Sequence, residues 1–160
     1  MLKIRIIAMG KLTEAHFRTA AEEFLRRSGK WFQITVAEPK PEPLPQNPTA
    51  GVIRRALEKE SARILAEIPP RAAVVAMCVE GKTLSSEAFA DWISRTADGG
   101  TSEICFLIGS SHGLHDEIKK RADLRLSVSP MTFPHELFRV MLLEQIYRAG
   151  EISGGGKYHK

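Results

Sequence analysis

Apolar runs with almost no alternation put the tightest limit on what this chain can fold into. Five stretches read as strands, residues 2–9, about 32–37, 73–79, 104–109 and 124–129, and four of them are nearly continuous apolar runs. A strand that faces water on one side alternates polar and apolar residues, whereas one buried on both sides does not. Helical patterns separate the runs. "TEAHFRTAAEEFLRRSG" opens with Thr13 as the expected N-cap and stops at Gly29. "TAGVIRRALEKESARILAEI" places Val52, Ile53, Leu57, Ile64 and Leu65 on a helical period and ends before Pro69 and Pro70. "SSEAFADWISRTADGG" runs from a serine cap to a glycine stop, "GLHDEIKKRAD" is short, and a last helix follows Pro134. Strands alternating with helices predict an α/β fold with a mainly parallel sheet flanked by helices.

At 160 residues the chain fits one compact domain, residues 1–160. The segment "EPKPEPLPQNP" carries five of the nine prolines, a density that excludes helix and central strand, so it reads as an extended surface loop. The first residues, "MLKIRIIAMGK", are too short and too basic for a signal peptide and read as a strand. No run is apolar enough to cross a bilayer, so no membrane partner is expected. Cys78 and Cys105 lie inside apolar stretches, which suggests buried thiols in a reducing cytoplasm. Neither has a ligating neighbour at metal-site spacing, so no metal is expected. The net charge of +4 is compatible with a polyanionic partner. Three basic clusters (Arg26, Arg27 and Lys30; Lys119, Lys120 and Arg121; Lys157, His159 and Lys160) read as solvated or helix-end charges, or as phosphate contacts.

In an open α/β sheet, ligands bind beyond the carboxyl ends of the strands. Three such ends are chemically distinctive: "CVEGK", "IGSSHG" and "SVSPMTF". The second could cradle a phosphate or simply connect strand to helix; no dinucleotide fingerprint or P-loop accompanies it. The third has small and apolar side chains stiffened by Pro130, which suits an aromatic base read by main-chain groups. A nucleoside-bearing ligand without phosphates, such as S-adenosylmethionine, would fit. The helix beyond it is apolar nearly all round and must be covered on most sides, which suggests the sheet on one side and a partner subunit on another. His135 and Arg139 lie four apart and share a face at its first turns, His135 as a capping, packing or catalytic residue. A buried Arg139 needs a partner, and Glu144 or a substrate group could serve.

"FPHELFRVMLLEQIYRAGEISGGGKYHK", with "FLIGSSHGL" and "IAMGK", closely resembles the bacterial ribosomal RNA large subunit methyltransferase H family, small SPOUT (trefoil-knot) methyltransferases. The resemblance spans the chain and is weakest over residues 38–50. It implies a homodimer with a C-terminal trefoil knot, an exception among folds. It further implies methylation of N3 of a pseudouridine in helix 69 of 23S rRNA from S-adenosyl-L-methionine. A chain this small has no room for a separate RNA-binding domain, so helix 69 is expected to be recognised on assembled ribosomes, in the cytoplasm. The cofactor loops of the family fall on Met77 and its neighbours to Gly81, on Gly109, and on Val128, Ser129, Pro130, Met131, Thr132 and Phe133. Relatives commonly carry glycine where this chain has Ser110; were a positive φ needed there, serine would be strained.

Pseudouridine N3 must lose its proton to attack, so a general base or a stabiliser of the developing charge is expected. His135, Tyr158 and His159 are the candidate bases, with Arg139 and Lys160 as electrostatic stabilisers, and the glycines of "SGGGKYHK" would let the tail fold over RNA. The alternatives are a non-catalytic RNA- or ribosome-binding protein of the same fold, and a nucleotide-binding α/β protein of other activity.

Overall fold

The computed structural model describes residues 1–160. In chain order the elements are β1 (Lys3–Ala8), α1 (Ala15–Ser28), β2 (Gln33–Ala37), α2 (Ala50–Glu67), β3 (Ala73–Thr83), α3 (Ser86–Asp98), β4 (Glu103–Ile108), α4 (Asp116–Arg121), β5 (Leu124–Ser127) and α5 (His135–Ser153). The strands form one sheet in the order β2-β1-β4-β3-β5, and every pairing is parallel. Successive residues of the three central strands therefore enter different cores. Ile4, Ile6, Val75, Ile104 and Phe106 pack with Ala21 of α1, Phe89 and Ile93 of α3, and Leu142, Leu143 and Ile146 of α5. Ile7, Val74, Ala76, Cys105 and Leu107 pack on the opposite face with Ile64 of α2 and Ile118 of α4. Coverage of both faces explains why the strands do not alternate.

Several local expectations change on folding. The fifth strand ends at Ser127, two residues early, and the third runs on to Thr83. Thr13 does not cap α1: the cap residue is Glu14, which makes no side-chain capping bond. Instead Glu136 of α5 accepts from the Thr13 hydroxyl (2.9 Å), the Thr13 N–H and the Glu14 N–H (3.2 Å), so one helix anchors the entry to another. Burial alone would raise the Glu136 carboxyl pKa, but these donors hold it below the usual carboxylate range. On α2 the buried stripe is Ala56, Glu60, Ser61 and Ile64, while Leu65 points outward, 41% exposed. Val52, Ile53 and Leu57 are only half-buried, and the fully covered stripe includes one carboxylate, Glu60. The proline-rich segment does lie outside helix and strand. It is pinned to α2, with Arg63 bonding the Glu42 carboxylate (2.5 Å) and the Lys40 carbonyl (2.8 Å).

The end of α5 is shaped by Trp31. A Cβ on Gly150 would stand 2.5 Å from the indole Cγ and Cδ1, so only glycine lets the ring lie against the helix. The indole N–H donates to Glu151 (3.1 Å), fixing where the C-terminal tail leaves the helix. Leu137, Phe138, Val140 and Met141 stay only half covered within the single chain. No helix is long and apolar enough to cross a membrane.

Candidate active site

The carboxyl ends of β3, β4 and β5 meet around one cavity of about 430 Å3, inside the range of small-molecule sites. The β3 wall comes from a register break, in which Leu126 of β5 pairs with both Met77 and Lys82, so residues 78–81 bulge without a partner on β5. That bulge carries Cys78, Val79 and Glu80 into the lining. Gly81 does not line the cavity. A Cβ there would stand 2.7 Å from the Leu126 carbonyl carbon, so its place is a close backbone approach that closes the bulge. Glu80 is paired with Lys119 of α4, which holds its carboxyl below the usual range.

At the end of β4, a Cβ on Gly109 would collide with the returning chain, 2.9 Å from the Leu114 nitrogen. Gly113 takes φ +80° and donates its N–H to the Ser110 carbonyl (2.9 Å). Ser110 is not in the left-handed region, where Arg71 is the sole non-glycine residue, so the serine introduces no strain. Its hydroxyl donates to Glu60 (2.7 Å). After β5 the chain turns on short side-chain bonds: the Ser127 hydroxyl donates to the Ser129 carbonyl (2.9 Å), and the Ser129 hydroxyl accepts from the Met131 N–H (3.0 Å).

Of the residues expected at the cofactor, Met77, Gly109, Val128, Ser129, Met131, Thr132 and Phe133 line this cavity, and His135 joins them at its rim. Pro130, like Gly81, is not among the lining residues; it is exposed on the loop between Ser129 and Met131. Met131 is 73% exposed and Val79 53%, an apolar lip on a cavity that is open to solvent. In the sequence Lys119 reads as one of a basic cluster and Glu80 as part of "CVEGK"; their pairing, across 39 residues, carries no legible signal.

Arg139 lies elsewhere. Despite its spacing from His135 it lines a separate cavity beside Lys11, Arg18 and Glu38. Its partner is not Glu144. Its Nη1 donates to Glu38 (2.6 Å) and its Nη2 to the Gly10 carbonyl (2.6 Å), at 3% residue exposure. The physical reason is rotation along the helix: Arg139 faces the α1–β1 side, whereas Glu144 faces the tail.

The C-terminal tail is docked on its own chain. Tyr158 donates to Glu144 (3.0 Å), which also accepts from Arg148 (2.5 Å). The His159 ring lies between Arg148 at Nδ1 (3.3 Å) and Glu87 of α3 at Nε2 (2.7 Å). Because arginine can only donate, this arrangement makes Nδ1 the acceptor and places the proton of a neutral ring on Nε2, toward Glu87. Burial, then the Glu144 bond, pushes the Tyr158 hydroxyl pKa up, so it stays a donor at neutral pH. Lys160 is exposed at the end. The sequence reading offers Glu144 to Arg139 and misses its pairing with Arg148, although an acid four residues before a base is a legible helix pair.

The lining can hold a nucleoside-type methyl donor. Apolar Met77, Leu126, Val128, Phe133 and Phe138 offer a surface for an aromatic base, the loops offer main-chain groups, and anionic Glu80 suits hydroxyls or a cation. No three His, Cys, Asp or Glu side chains converge as metal ligands would.

Comparison with known proteins agrees with this geometry. A family model described as a predicted SPOUT methyltransferase matches residues 2–159. Among solved structures, a probable methylase family protein from Haemophilus influenzae Rd KW20 superimposes with a TM-score of 0.54 at 12% identity, over 99% of this chain and 70% of that one. That likeness concerns the fold. A structure bearing on 2-OH methylation of C/U34 on tRNA aligns with a TM-score of 0.49 at 16% identity, over 96% of this chain and 97% of that one. A trefoil path for the segment from β5 into α5 is consistent with the layers described. By fold and by a match over nearly its whole length, the chain belongs to the SPOUT methyltransferase family, whose methyl donor is S-adenosylmethionine.

Proposed function

We propose that the protein methylates N3 of a pseudouridine in helix 69 of 23S rRNA, on assembled ribosomes in the cytoplasm. One observation carries the enzymatic part: three strand ends border a cavity of about 430 Å3, roomy enough for a nucleoside-type donor, with His135 on its rim. The choice of target rests on the C-terminal motif "FPHELFRVMLLEQIYRAGEISGGGKYHK" and its family resemblance. S-adenosylmethionine, when bound, supplies an electrophilic methyl carbon; the chain has to orient the nucleobase and accept one proton. Of the candidate bases, His159 has its ring oriented by Glu87 at Nε2, and its Nδ1 lone pair, which accepts from Arg148, would take the proton once the tail moves onto RNA and that bond is released. Tyr158, held protonated, would donate to the base instead. Arg148 and Lys160 would offset charge developing on the nucleobase carbonyls.

We infer a homodimer, in which one protomer's tail meets the other's cavity. Within one chain, the donor cavity and the groove bearing Glu144 lie on two sides of residues 126–128, so the tail approaches from the far side. The half-covered apolar residues of α5 would be covered by the same contact. Transfer of labelled methyl to ribosomes lacking this modification, followed by mapping of the modified base, tests the proposal. Label at any other nucleotide would refute the target. A chain giving no calorimetric signal with S-adenosylmethionine would instead be a ribosome-binding relative without catalysis.

A further inference from the structure

We propose that Glu60 is a positioning residue, a buried carboxylate that ties the wall of the donor cavity to the proline-rich loop and holds the two in one arrangement. The inference rests on the methyl-donor reading of the cavity. Glu60 is 3% exposed. One carboxylate oxygen accepts from the Ser110 hydroxyl (2.7 Å), in the turn that lines the cavity, and the other from the Glu42 N–H (3.1 Å), in the proline-rich loop. Both donors are neutral. Burying a carboxylate without a cation is unfavourable, and packing of α2 would be better served by an apolar side chain at this position.

The two ends of the tie are themselves held. Glu42 is fixed by Arg63 (2.5 Å) and Lys59 (3.3 Å), so the loop offers its N–H from a rigid place. Ser110 closes its turn through the Gly113 N–H (2.9 Å), so a displaced Ser110 moves the backbone between Gly109 and Gly113. A shift in either loop is therefore transmitted to the other through one side chain that touches no ligand.

Amide hydrogen exchange and calorimetry test the tie. In the ligand-free protein, Glu60→Leu should speed exchange at the Glu42 and Gly113 N–H groups by about tenfold, the scale of one lost hydrogen bond to a charged group. Glu60→Gln should restore both, since its carbonyl can accept from Glu42 and its amide can donate to the Ser110 oxygen. Ser110→Ala, which keeps α2 intact, should speed Gly113 exchange and weaken S-adenosylmethionine binding about tenfold. Unchanged exchange at Gly113 in Ser110→Ala, or at either amide in a folded Glu60→Leu, overturns the proposal, as does donor affinity equal to wild type. Wild-type protein that binds no donor would refute the methyl-donor reading, while the exchange rates would still decide the tie.

Discussion

Replacing Arg139 with methionine separates a structural role from a catalytic one. The guanidinium is buried with side-chain exposure of 4%, and its partner Glu38 retains 32%. Removing one partner of a fully buried ion pair typically costs about 3–5 kcal/mol. Glu38 can rehydrate and methionine fills much of the space, so about 2–3 kcal/mol is expected, part of it from the Gly10 carbonyl left without its donor. For a domain of this size that lowers Tm by roughly 5–10 °C, measured at fixed protein concentration because a dimer's stability depends on it. A double-mutant cycle with Glu38→Gln should show coupling of about 1–2 kcal/mol. Calorimetric affinity for S-adenosylmethionine, measured well below the new Tm, should stay within about twofold, since Arg139 does not line the donor cavity. A variant as stable as wild type that had lost methyl transfer would refute this reasoning and return Arg139 to the chemistry.

Gly150→Ala gains about 1 kcal/mol of helix propensity but drives a methyl group into Trp31, an overpacking of about 1–3 kcal/mol. Urea denaturation should show a net loss of up to about 2 kcal/mol, partly relieved in a Trp31→Leu background. Burial, then the Glu80 charge, raises the Cys78 thiol pKa, and burial pushes Cys105 to about 12. Neutral alkylation should therefore be slow at Cys78, slower still with bound donor, and undetectable at Cys105 until the protein unfolds, as peptide mass mapping would show. Glu87 is held at about 2 by its own backbone N–H, then His159 and Ser85, against an ordinary 4.5. Its folded pKa is depressed, so its contribution to tail docking is complete above about 4.5 and is lost as pH falls through about 2. Carboxyl NMR of Glu87 with tail amide exchange checks this, and Glu87→Gln should abolish that pH dependence. His159→Ala should slow methyl transfer far more than it weakens donor binding; equal damage to both would remove the tail from catalysis.

Much of the architecture is written locally. Unbroken apolar runs specify strands covered on both faces, and glycine and proline punctuation sets where they end. Ser85 illustrates this, its side chain capping α3 as the sequence indicates. Because strand ends are where α/β sheets bind ligands, the neighbourhood of the cavity was also legible in "CVEGK", "IGSSHG" and "SVSPMTF", and the family resemblance narrowed it to Met77, Gly109 and most of residues 128–133. Only the tertiary structure decided the partners. Arg139 and Glu38 stand 101 residues apart, Thr13 and Glu136 stand 123 apart, and His159 and Glu87 stand 72 apart. Helical spacing says which residues share a face but not what the face meets, because that depends on how layers stack and rotate. The bulge that brings Cys78, Val79 and Glu80 into the site follows from β3 pairing twice with Leu126, a long-range register that no local pattern encodes.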